Sequence, residues 1–199
     1  MPILISRMTK WKSWRSNLCF SLVDFCERGK FFMRILGIDP GLYAAGYGVV
    51  DVTPYHQVQL VEVGTIQPKK RDPFPHRLIK VYKNLEDIIV QFHPDVMVVE
   101  ELYSHYKHPA TAAIMGHARG VILLLSAQRK LPVVEYGVKR IRKALMGNGS
   151  ATKEQTRDSV CHILKIDASQ LPLDASDALA LALGYAFMQR FKTKIATES

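Results

Sequence analysis

A chain of 199 residues, 48% hydrophobic and 23% charged, is long enough for one self-sufficient core and too apolar to be disordered. Its 27 Lys and Arg against 18 Asp and Glu leave a net charge of +9, which suggests a polyanionic partner such as nucleic acid. No run approaches the roughly eighteen apolar residues of a membrane-spanning helix, and the three cysteines (Cys19, Cys26, Cys161) exclude a disulfide framework or thiolate metal cluster and point to a reducing compartment.

Residues 1–32 carry six basic and two acidic residues without clean periodicity. One reading is a basic targeting peptide, although Ser21 and Asp24 interrupt its apolar stretch. The other is an extension upstream of the true start. Glu27-Arg28-Gly29-Lys30 can be encoded by a purine-rich run, placed where a bacterial ribosome-binding site would precede Met33. The expected start is therefore Met33, and native N-terminal sequencing that returned Met1 or Pro2 would refute it. The remaining residues keep 21 basic and 16 acidic side chains, so the basic excess does not depend on the extension.

From position 34 the pattern becomes regular. Residues 34–39 form an apolar run ended by Pro40-Gly41, which predicts a buried strand and a tight turn. Two β-rich runs, 45–52 and 58–66, complete an expected three-stranded meander. Leu78, Ile79, Val81, Tyr82, Leu85, Ile88 and Ile89 recur at helical spacing over 74–92, and His93-Pro94-Asp95 stops that helix. The continuous run 96–99 predicts a central strand covered on both faces. A helix over 110–129, a strand over 132–136, a helix near 138–146 and a Gly147-Asn148-Gly149 loop follow. Thr152 with Gln155 fits a capping box opening a helix to about Leu164. A last helix from near Asp174 is apolar nearly all round and should be buried. The order predicts an α/β fold with a mixed sheet flanked by helices.

Four acids fall where a charge is costly unless used. Asp39 ends the first apolar strand and Glu100 the run 96–99, whereas Asp174 and Asp177 share one face at the start of the last helix. Each has an ordinary alternative: Asp39 as a turn residue, either Glu100 or Glu101 as a solvated neighbour, and the helical pair as an N-cap and a dipole partner. If the two strands adjoin and the helix packs across them, the four converge. Converging oxygens repel one another and select a hard divalent ion, Mg2+ or Mn2+, over zinc. Two such ions can activate water and stabilise a leaving 3′-oxygen.

Gly37-Ile38-Asp39-Pro40-Gly41, Gly46-Tyr47-Gly48-Val49, Val99-Glu100-Glu101 and Gly116-His117-Ala118-Arg119-Gly120 resemble, in that order, the bacterial RuvC family of Holliday-junction resolvases. Residues 132–136, 147–153 and 174–178 continue the resemblance, which covers about 33–188. It implies a ribonuclease-H-like mixed five-stranded sheet flanked by helices. It also implies a cytoplasmic bacterial homodimer that nicks four-way DNA junctions in symmetric pairs during recombination and repair, in cooperation with RuvA and RuvB. By position it assigns Asp39, Glu100, Asp174 and Asp177 to the acidic tetrad and chooses Glu100 over Glu101. Two Mg2+ ions per site are implied, with Mn2+ able to substitute. The resemblance divides the chain into an extension (1–32), a nuclease domain (33–190) and a C-terminal tail (191–199). It places the dimer contact on the helix over 110–129, where Ala110, Ala112, Ala113, Gly116, Ala118 and Gly120 would permit close approach. Lys139, Arg140, Arg142, Lys143 and Lys153 would meet phosphates, giving affinity with little sequence choice. Tyr103 falls where the family stacks an aromatic on unpaired bases. The chain departs from the pattern at His108-Pro109, where Asn is common after Lys107, and His105 with His108 lacks a third ligand at zinc spacing.

Two other classes are weaker. An actin-like or sugar-kinase ATPase would need a second Asp-Gly-Gly phosphate loop and about twice the length. A non-catalytic junction-binding module would need the basic face but not four acids. A related nuclease of ribosomal RNA precursors is shorter and lacks the Gly-x-Ala-Arg-Gly helix.

Overall fold

The computed structural model describes residues 33–41, 43–53, 57–101 and 109–197. In chain order the elements are β1 (Met33–Asp39), β2 (Ala45–Val52), β3 (Val58–Ile66), α1 (Phe74–Phe92), β4 (Val96–Glu100), α2 (Pro109–Gln128), β5 (Val133–Tyr136), α3 (Val138–Met146), α4 (Lys153–Leu164), a 3-10 turn (Ala168–Gln170) and α5 (Leu173–Thr197). Among these residues no helix is long and apolar enough to cross a membrane.

One sheet runs in the order β3-β2-β1-β4-β5. The antiparallel meander β1-β2-β3 and the parallel pairs β1-β4 and β4-β5 make it mixed, as expected. β4 is an interior strand covered on both faces, as its continuous apolar run predicts, with β1 beside it in the middle of the sheet; residues 96–99 are as buried as residues 35–38.

Strand alternation sorts the core into two layers. Ile35 of β1 and Val98 of β4 face α5, together with Val50, Leu179 and Leu183. Leu36, Ile38, Met97 and Val99 face the opposite side, where Leu85 of α1 and Ile122 and Leu125 of α2 cover them. Helix α5 crosses β1 and β2, and Ala178, Leu179, Ala182 and Leu183 are all fully buried. Each such leucine contributes about 1.5–3 kcal/mol of hydrophobic stabilisation.

Local stop signals act as their chemistry requires. His93 ends α1 in the left-handed region (φ 47°) and Gly147 ends α3 there (φ 72°). Thr152 and Gln155 exchange both bonds of the capping box at α4. On α2, Ala118 is fully buried, whereas Cβ atoms built on Gly116 and Gly120 would meet nothing within 4 Å and Leu124 is 56% exposed. Ala118 therefore belongs to the core and not to the outward stripe that its small size suggested. Ala110 lies where side chains are not described.

Candidate active site

The same alternation that builds the core aims the acids. Ile35 and Gly37 face α5, so Asp39, two residues further along β1, points to that side as well. Val96 and Val98 face α5 on β4, so Glu100 follows them, and Glu101 takes the other side and is exposed. β1 and β4 are parallel neighbours, paired up to Ile38 with Val99. Asp39 and Glu100 thus leave adjacent strand ends on one face of the sheet.

The helical pair reaches them because the sheet is thin beneath α5. A Cβ on Gly37 would overlap the Ala178 carbonyl oxygen and stand 3.0 Å from the Ala182 nitrogen. A Cβ on Gly46, which pairs with Asp39 in the β1–β2 register, would overlap the Asp174 carbonyl oxygen. Only glycine permits this approach, and it sets Asp174 and Asp177, both half-buried, beside the strand ends.

The charges interact strongly. Burial first, then the Glu100 charge, pushes the Asp39 carboxyl up to about 8, with Asp177 adding to the rise and Lys153 opposing it. Glu100 is likewise raised, chiefly by burial, with Asp177 adding to the rise and Lys153 and Arg142 countering it. The two carboxyls also act on each other at close range, which raises Asp39 and lowers Glu100. Lys153 at the start of α4 donates from Nζ to Asp177 Oδ2 at 2.8 Å. Burial alone would lower its ammonium, but Asp177, Asp39 and Asp174 together raise it above its ordinary value.

Among the described residues no three acidic, histidine or cysteine side chains yet stand together as a ready-made metal site. Lys153 instead sits on Asp177 and partly neutralises its charge. The donor set itself, oxygen-only, with the Asp39 and Glu100 carboxyls raised first by burial and then by neighbouring negative charge, fits a hard divalent cation. A cation there would take over the work of that ammonium.

Basic side chains rim the acids. Arg142 is half-buried, donates from Nη1 to the Ala151 carbonyl at 2.7 Å and keeps a buried Nε without a partner. Glu100, Arg142, Thr156 and Asp177 line one shallow cleft. Lys139, Arg140 and Lys143 are exposed on α3, Arg140 standing 4.9 Å over the Tyr136 ring. Lys153 and Arg142 are thus brought to the acids, whereas Lys139, Arg140 and Lys143 carry their charge on the helix surface. Tyr103, His105 and His108 lie outside the described residues.

Sequence reasoning missed Arg119. This α2 side chain is 7% exposed, pairs from Nη2 with Glu135 Oε2 at 2.6 Å and donates from Nη1 to the Glu100 carbonyl. The available signal was a lone cation flanked by the apolar residues of 121–125, read only as one letter of a motif.

Comparison with known proteins identifies the family. The family model described as "Crossover junction endodeoxyribonuclease RuvC" matches residues 35–185. The crossover junction endodeoxyribonuclease RuvC of Rhodopirellula baltica is 40% identical over 149 residues, covering 75% of this chain and 83% of that one. The solved structure of Thermus thermophilus RuvC superposes with a TM-score of 0.73 at 31% identity, covering 81% of this chain and 98% of that one. The same protein in complex with Holliday junction substrate also gives 0.73, at 28% identity and with the same coverage. The fold is therefore ribonuclease-H-like, and the chain belongs to the RuvC family of metal-dependent crossover junction endodeoxyribonucleases.

Proposed function

We propose that this chain resolves four-way (Holliday) DNA junctions by paired symmetric nicks in homologous recombination and repair, with Asp39, Glu100, Asp174 and Asp177 as its metal-holding catalytic acids. One observation carries the reading: strand parity sends Asp39 and Glu100 to the α5 face, where burial first, then the charges of Glu100 and Asp177, lift Asp39 to about 8. The four carboxylates would hold two Mg2+ ions, with Mn2+ able to substitute. Bound there, such ions supply an activated water and stabilise the leaving 3′-oxygen.

The chain's own groups do the rest. Asp39, raised to about 8, gives up its proton when the site is loaded. Lys153, released from Asp177, turns to a scissile-strand phosphate, and Arg142 meets a neighbouring one. Lys139, Arg140 and Lys143 follow the backbone of an arm, and Tyr103 stacks on an unpaired base at the crossover. The nuclease domain spans 33–190, which the family match over 35–185 supports, with 1–32 an extension and 191–199 a tail.

A homodimer suits this chemistry, since one two-fold interface sets two equal sites on a substrate of matching symmetry. The outward stripe Gly116, Gly120 and Leu124 on α2 supports that helix as the contact. Branch-migration proteins RuvA and RuvB would supply the junction to a bacterial cytoplasmic enzyme.

Asp174→Asn tests the site. With a synthetic mobile four-way junction, the variant is expected to bind as the parent does in EDTA and to cleave several orders of magnitude more slowly in Mg2+. Undiminished cleavage would remove Asp174 from the site.

A further inference from the structure

Arg119 is a buried cation that the proposed chemistry does not use. A guanidinium at 7% exposure is costly unless its donors are met. They are met at one place, the end of β4: Nη1 holds the Glu100 carbonyl and Nη2 holds Glu135 of β5 at 2.6 Å. The ladder between β1 and β4 stops at the Ile38–Val99 pair, so Glu100 has no partner on β1. On the other side Glu100 pairs with Tyr136, and the Glu101 amide donates to the Tyr136 carbonyl at 3.1 Å.

Packing alone does not call for arginine here. Ile122 and Leu125, on the same helix, are fully buried and fasten α2 to the sheet with apolar groups. Only a planar fork with several donors spans a main-chain carbonyl and a carboxylate on two strands at once. We infer that Arg119 is a positioning residue that fixes the main chain of Glu100, and through it the divalent-ion affinity of the acidic site, from the helix whose outer face carries Gly116, Gly120 and Leu124. Displacing α2 then displaces Glu100. The inference rests on the metal-holding role of the acids, and its test separates the two.

The test titrates Mn2+ into the full chain by calorimetry, without DNA, for the parent, R119M, R119K, E135Q and D39N, with melting temperatures measured alongside. Groups that hold a metal ligand in place from behind are worth about 10–100-fold in metal affinity. R119M is expected to weaken Mn2+ binding by that factor, R119K to recover part of it, and E135Q to fall between R119M and the parent. Junction affinity in EDTA should stay constant for the Arg119 and Glu135 variants. A merely structural arginine would lower the melting temperature and leave the Mn2+ affinity of the folded protein unchanged, which overturns the inference. Should R119M not fold, R119K and E135Q carry the test, and parent-like Mn2+ affinity in both overturns it. D39N divides the failures. If D39N loses Mn2+ while the Arg119 and Glu135 variants keep it, only the positioning role falls; if D39N keeps it, the metal-site reading falls.

Discussion

Gly46→Ala adds one methyl group where α5 rests on the sheet, and the structure sets what that methyl must do. Its Cβ would overlap the Asp174 carbonyl oxygen and stand 3.0 Å from the Ala175 nitrogen. Non-bonded carbon contacts settle at about 3.5 Å or more. The first turn of α5 must therefore back away by on the order of 1 Å, because both opposing atoms are main chain and cannot rotate aside. Overpacking of this kind costs about 1–3 kcal/mol, or roughly 2–4 °C of melting temperature per kcal/mol in a domain of this size. Function suffers more than stability. Metal–ligand distances tolerate only about 0.2 Å, and a misplacement of about 1 Å can cost about 100-fold in rate. Single-turnover cleavage of a synthetic four-way junction in Mg2+ is expected to drop by about that factor, with junction binding in EDTA preserved. A folded G46A chain that cleaved at the parent rate would refute the claim that glycine-permitted contact places Asp174.

Arg142→Ala should weaken junction binding and reduce the slope of log K against log salt by about 0.9, one phosphate contact's worth; an unaltered slope would return Arg142 to a purely local role on the Ala151 carbonyl. In EDTA, stability should decline as pH rises. Asp39 holds its proton up to about 8 in the folded chain against 3.8 ordinarily, so the folded state binds the extra proton between those values and loses its advantage on reaching the upper one. The slope is at most about 1.4 kcal/mol per pH unit for one proton. Urea unfolding from pH 5 to 8 should show the decline in the parent, a flatter profile in Asp39→Asn, and recovery with Mg2+; parallel profiles for the two chains would contradict it.

Much of the fold was legible because its signals are local. The apolar run ending at Asp39, the helical spacing from Leu78 to Ile89 and the Thr152–Gln155 cap each lie within one element. What was illegible depends on neighbours in space. The residues alone left Glu100 and Glu101 open, since choosing between them requires knowing which face α5 covers. Once Val96 and Val98 lie under α5, parity selects Glu100 without any resemblance. The middle position of β1 was hidden because β4 is equally enclosed. The Lys153–Asp177 pair joins residues 24 apart on two helices, and no spacing rule reaches that far. Small size placed Ala118 among the outward residues of α2, but its heptad neighbours Ile122 and Leu125 put it inward. Gly37 and Gly46 were readable as motif letters, while their reason, the close passage of the α5 main chain, needs the third dimension.

The convergence of the four acids on a divalent ion is tested most directly by crystals soaked in Mn2+ and measured for anomalous scattering. The expected result is a peak about 2 Å from carboxylate oxygens of Asp39, Glu100 and the α5 pair, with the Lys153 ammonium withdrawn from Asp177. A fully soaked crystal with Lys153 still seated on Asp177 and no peak between β1, β4 and α5 would contradict it.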